Sequence, residues 1–144
     1  MGARYSVNRT AAALSTSADT LTNTAPAGRS LKVWQIACYG GAAASAYNEV
    51  LVARSTVGTT PTAITPTPLN ADSAAASFTA ASTWATPPTI GVTIRRIGVN
   101  ANGAAVILTF PPGSEIDIPG GGQVSFRSAS GTSSVAFDVL VEQI

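Results

Sequence analysis

From Ile90 to Glu142 apolar and polar residues alternate in five short runs separated by breaks rich in Gly and Pro. A period of two is the pattern of strands with one buried face, and it leaves little room for helix. Ile90 to Val99 sets Ile90, Val92 and Ile94 on one side and leads into Asn102-Gly103, a dipeptide suited to a tight hairpin with positive φ. Ala104 to Phe110 returns as the partner, and Pro111-Pro112-Gly113 turns the chain again. Ser114 to Ile118 is a short strand ended by Pro119-Gly120-Gly121-Gly122; Gln123 to Ser128 and Ser134 to Glu142 follow. Upstream, Leu31 to Tyr39, stopped by Gly40-Gly41, reads as a central strand, and Tyr47 to Arg54 as another. Tyr5 and Val7 alternate with polar neighbours in the manner of an extended arm or edge strand. The pattern predicts an all-β chain: a single β-sandwich of about eight strands with jelly-roll connections.

A chain of 144 residues allows one domain, here 1–144. Two parts fall outside the regular pattern. Residues 1–28 read as an extended N-terminal arm, broken at Ala25-Pro26-Ala27-Gly28. Residues 55–89, with Pro61, Pro66, Pro68, Pro87 and Pro88, read as a long irregular connection holding only fragments of strand. Irregular chain of that length in a small domain is expected to be ordered by something it contacts, which points to assembly.

Composition narrows the chemistry. Alanine, threonine, serine and glycine make up half of the chain, and only 10% of residues are charged, so the expected surface is small-grained, near neutral and prone to association. The net charge is +1 and the cations are scattered from Arg4 to Arg127, which is no phosphate-binding footprint; nucleic acid is not an expected partner. With no histidine and one cysteine, Ser-His and Cys-His nucleophiles and Cys/His zinc sites are excluded. Cys38, inside an apolar stretch, is expected to fill space as a small hydrophobe. No run approaches the roughly 20 apolar residues of a membrane span, and the N-terminus lacks a signal-peptide h-region, so the expectation is a soluble, unprocessed chain with no membrane partner. Met1 to Ser6 and Asn8-Arg9-Thr10 match acylation and glycosylation patterns that have meaning only in a eukaryotic or secretory setting.

Few side chains suggest a site. Glu115 and Asp117 lie two apart on a predicted strand, so they project from one face; without a third ligand they read as a solvated face rather than a metal or acid/base pair. Asn70 with Asp72, and Asn100 with Asn102, resemble turn chemistry. No metal or cofactor is expected. Trp34 belongs in the core by pattern, while Trp84, beside Pro87-Pro88, reads as a loop anchor or an exposed contact. Gly120-Gly121-Gly122 lacks the Lys-Ser/Thr and helix of a phosphate loop. Arg95 and Arg96 fall on opposite strand faces, so at most one can be buried and paired.

Taken together, Arg4-Tyr5-Ser6-Val7, Ala25 to Lys32, Glu49 to Arg54 leading into Gly58-Thr59-Thr60-Pro61-Thr62, Trp84 to Pro88, and Glu115 to Gly122 resemble small structural proteins of tailed bacteriophage virions. The resemblance spans almost the full chain and is one of order and texture rather than of a signature motif. It implies a β-sandwich without catalysis, attached to the capsid exterior as a decoration or cement protein, with the major capsid protein and further copies of itself, as a homotrimer or homodimer, for partners. The expected contacts are Arg4, Tyr5, Val7 and Arg9 of the arm and Trp84, Pro87 and Pro88 of the connection. The alternative is a tail, neck or fibre module that binds host-surface carbohydrate, which requires an aromatic and polar cluster, such as Trp84 with Tyr39 or Tyr47. An enzyme would need a carboxylate-only site, for which Glu115 and Asp117 are a poor pair.

Overall fold

Alternating segments bury one face each, so the stable solution is two sheets laid face to face. The computed structural model describes residues 2–144 and contains twelve strands in two antiparallel sheets, with no helix among the described residues. They are β1 (Ala3–Ala13), β2 (Leu21–Thr24), β3 (Leu31–Gly41), β4 (Tyr47–Ser55), β5 (Thr59–Ile64), β6 (Thr67–Pro68), β7 (Thr79–Thr86), β8 (Ile90–Asn100), β9 (Asn102–Thr109), β10 (Ile116–Ile118), β11 (Gln123–Ser130) and β12 (Ser134–Gln143). The first sheet runs β10-β3-β12-β1-β6, with β9 also on β3; the second runs β5-β7-β2-β11-β4-β8. Pairing is nested: β1 with β12, β2 with β11, β3 with β10 and β9, and β4 with β8. Joined by β12 on β3 and β11 on β4, these four wrapped pairs form the jelly-roll connection expected from the sequence.

The two inner faces supply the core. Val7, Val139, Ile36 and Leu108 line up across the first sheet, and Phe126 with Val52 across the second. Phe126 and Phe137 meet between the sheets at 5.6 Å, tilted by 55°. Cys38 is fully buried, and its apolar surroundings push the thiol pKa up to about 12, so it is an inert filler. Gly103 turns the chain after β8 at φ 66°, but the turn does not close the expected hairpin: β8 pairs with β4 in the second sheet and β9 with β3 in the first, so Asn102-Gly103 carries the chain from one sheet to the other.

Four further expectations are corrected. Residues 2–28 are not a free arm: β1 lies between β12 and β6, and β2 between β11 and β7, with Tyr5, Val7 and Leu21 buried in the fold's own core. Within the irregular connection, β7 is an eight-residue strand inside the second sheet, with one register shift against β5. Its buried positions are small, Ala80, Ala81 and Ser82, so the segment lacks the large-residue alternation that marks a strand. Trp34 leaves the core. A bulge opposite Leu140 and Val141 inserts one extra residue in β3, turning Trp34 outward to half-burial, where the Arg4 guanidinium stacks 5.1 Å from its ring centroid. Finally, β8 turns Val92 outward, 74% exposed; two register shifts against β4 break the alternation, and Ile97 and Val99 do the packing.

One polar side chain on the inner face lacks hydrogen-bond partners. Asn23 is fully buried between Ala80 and Val124, and neither its amide nitrogen nor its amide oxygen has a hydrogen-bond partner. A buried amide without partners costs about 1–3 kcal/mol, so Asn23→Leu is expected to raise stability by that order. The check is the midpoint of urea unfolding at unchanged slope; a lower midpoint would show that the amide is satisfied in solution.

Candidate functional site

The polar side chains that the fold brings together lie on the outer face of the second sheet, under the segment between β1 and β2. That segment is pinned by backbone bonds from Ser128 to Ser15 and from Thr20 to Phe126. It lays Asp19 over β11, where the carboxylate accepts from Arg127 Nε at 2.9 Å and from Ser125 Oγ at 3.3 Å. Arg127 also donates to the Pro88 carbonyl at 3.0 Å. Ser125 and Ser55 hydroxyls sit 2.6 Å apart, Gln123 Nε2 donates to Ser55 at 2.9 Å, and Thr24 donates to Gln123 Oε1 at 2.9 Å. Parity explains the cluster: Gln123, Ser125 and Arg127 alternate with inward Val124 and Phe126.

Burial raises the Asp19 pKa, and the bonds from Arg127 and Ser125 offset part of that rise. The chain of hydroxyls ending on a carboxylate has the outline of a proton relay. Ser125 is fully buried, however, and the carboxylate is already engaged by a guanidinium, so the cluster ties loop to sheet, with half-buried Ser55 as its outermost hydroxyl.

Beside it, Trp84 Nε1 donates to Thr22 Oγ1 at 3.2 Å, fixing the indole against the sheet. Trp84, Thr22, Thr24, Thr79, Pro61 and Ala81 help line a cavity of about 130 Å³ without a charged group. On the far side of Ser55, Arg54, Thr89, Ile90 and Gly91 help line a shallower hollow of about 260 Å³.

The sequence-derived contact residues are scattered by the fold. Tyr5 and Val7 are buried in the core and cannot meet a partner. Arg4 is exposed on the outer face of the first sheet, over Trp34, and half-buried Arg9 is turned onto the Thr20 carbonyl at 3.1 Å. Trp84 is half-buried on strand β7 rather than in a loop, Pro87 is exposed, and Pro88 is buried as the acceptor for Arg127. Trp84 is not joined by Tyr39 or Tyr47: Tyr39 is on the other sheet, and Tyr47 reaches Glu49 Oε2 at 3.5 Å on β4.

Glu115 and Asp117 do not form a pair. Glu115 precedes β10 and accepts the Gly113 amide at 2.6 Å, and backbone N–H groups hold its carboxyl below the usual range. Among the described residues no three of His, Cys, Asp and Glu gather as a metal site would require. Asn70 and Asn100 cap turns through the amides of Asp72 and Asn102, as their spacing predicts. Arg96 pairs with Glu49 at 2.8 Å while exposed, and Arg95 stacks on Phe110 at 5.5 Å. The Asp19 cluster was not visible in sequence, because Asp19 and Arg127 lie 108 residues apart with no motif between them. Comparison with protein-family models, with curated proteins and with solved structures gives no match for this chain.

Proposed function

We propose that this chain is a non-enzymatic virion structural protein, a capsid decoration protein that binds an assembled head lattice from outside and stabilises it. The observation that carries this reading is how the chain divides its side chains. Its buried carboxylate and hydroxyls are consumed in holding the fold, while Tyr47, Val57, Leu69, Val92 and Ile107 are left exposed. On a chain with 10% charged residues, that surface favours association over solvation. Jelly rolls serve in viral capsid and lectin domains, which supports the reading by analogy. With Tyr5 and Val7 inside the fold, the lattice contacts move to exposed residues of the connection, Val57, Leu69 and Pro87. Stabilisation then follows from mass action: a protein that binds the closed lattice and not the opened one raises the free energy of opening with every engaged copy.

The test mixes purified protein with capsids that lack it, followed by sedimentation, imaging and thermal release of the genome. Occupancy of repeated lattice positions with release at higher temperature is expected, and Leu69→Asp should weaken it. Absence of the protein from the sedimented particles would sink the decoration reading.

The Trp84 cavity favours a second reading, a tail, neck or fibre module for host-surface carbohydrate. An indole wall without charge suits the apolar face of a neutral sugar ring, with the Thr22 and Thr24 hydroxyls already bonded to Trp84 and Gln123. Tryptophan fluorescence titrated with neutral oligosaccharides separates the two: a saturable change lost in Thr22→Val would favour the glycan module.

A further inference from the structure

Five strand edges end the two sheets, and four of them are defended. β6 has two residues, one of them Pro68; β10 has three residues; β5 carries Pro61 after Thr60 in the left-handed region at φ 51°. β8 is broken by two register shifts and carries Arg95 and Arg96. Charges, prolines, bulges and shortness are the devices that keep an edge from pairing with another chain. β9 has one of them only at its start, a register shift between Asn102 and Ala105, and none beyond it. It pairs with β3 in unbroken register from Ala105 to Thr109, and Ala104 to Phe110 contains neither charge nor proline. Its inward side chains Val106 and Leu108 are only half-buried because no strand lies beyond them, and Ile107 on the outer face is 56% exposed.

We propose that β9 pairs antiparallel with β9 of a second copy of this chain, about a two-fold axis near Ile107, joining the first sheets of two molecules. Charge selects this occupant. A two-fold contact sets a strand against itself, so any charge near the axis meets its like; β9 carries none, whereas β8 would bring two arginines to the contact. The pairing sets Val106 against the second copy's Leu108 over the core side and Ile107 against its counterpart on the outer side. Such an edge contact is small against the roughly 1,200 Å² or more of a stable interface, so the dimer is weak and concentration-dependent. This inference concerns two copies in solution, and it goes beyond the lattice-binding reading without depending on it.

The test is sedimentation velocity of the full chain over a wide concentration range, with amide hydrogen exchange read alongside. A monomer–dimer equilibrium is expected, with protection of residues 104–109 rising as dimer forms. Ile107→Lys alters an exposed side chain, leaves the fold intact by circular dichroism, and should raise the dimer dissociation constant about tenfold or more through like-charge contact at the axis. Mixing Ile107→Lys with Ile107→Glu should restore association, which a misfolded variant would not do. Val92→Lys, on the β8 edge, should leave it unchanged. A chain that stays monomeric throughout, or a dimer that is insensitive to Ile107→Lys, overturns the proposal whether or not capsids are bound; capsid binding by a strictly monomeric chain would leave the decoration reading standing alone.

Discussion

Phe126→Ala is expected to cost about 3–5 kcal/mol of folding stability, the range for removing a large aromatic from a closed core. Phe126 is fully buried at the centre of β11, with Leu21 on one side, Val52 on the other and Phe137 against its ring. Truncation removes both its transfer energy and its contacts with the facing sheet. Each neighbour is anchored in its own strand, so the hole cannot close by local collapse. A domain of this kind has about 5–15 kcal/mol in total, so the variant is expected to be partly unfolded at physiological temperature. Urea unfolding followed by tryptophan fluorescence measures the loss. A cost under about 1.5 kcal/mol, a value typical of tolerated apolar swaps, would mean that the two sheets slide together over the gap.

Arg127→Ala is expected to cost about as much, about 3–5 kcal/mol at neutral pH, because it strands a carboxylate whose side chain has no solvent exposure. The pH dependence distinguishes this cause from lost packing. Burial raises the Asp19 pKa above 3.8, so the folded protein binds that proton more tightly than the unfolded chain does. Its contribution therefore favours folding most below the unfolded pKa and is lost as pH rises through the folded value. In wild type, Arg127 offsets part of the rise. Without it the folded pKa climbs further, and the variant's deficit should be largest at neutral pH and shrink towards about pH 4. A deficit that does not vary with pH would place the loss in packing. Glu115 has the opposite sign: its lowered pKa gives stability above the unfolded value that is lost as pH falls through the folded one. The acid limb of the wild-type curve should therefore flatten in Glu115→Gln.

Where large apolar residues alternated, the fold was legible. β3, β4, β11 and β12 are where the pattern puts them, since Leu31, Val50, Val124 and Val139 leave each segment only one face to bury. The misread regions share a physical cause. β7 buries alanines and a serine, whose hydrophobic contrast with their neighbours is too weak to show a period. Trp34 and Val92 keep the composition of core residues but lose their parity to bulges, which a partner strand imposes from across the sheet. The candidate site was the least legible part. Single positions, such as Asn70 and Asn100 as turn residues, follow from local rules, whereas Asp19, Ser125 and Arg127 acquire meaning only when β2 and β11 meet.

The amino-acid sequence by itself determined the class of the fold, where the chain turns and the exclusion of histidine- and metal-thiolate chemistry. These depend on side-chain identity and on spacing along a few residues, and both are local. Tertiary structure alone decided that the N-terminal segment is a core strand, that the buried carboxylate is held by an arginine from the far end of the chain, and that β9 is the undefended edge. Each of these is a property of which strands become neighbours. In a nested jelly roll the neighbours come from opposite ends of the chain, so no short window of sequence contains both halves of the interaction.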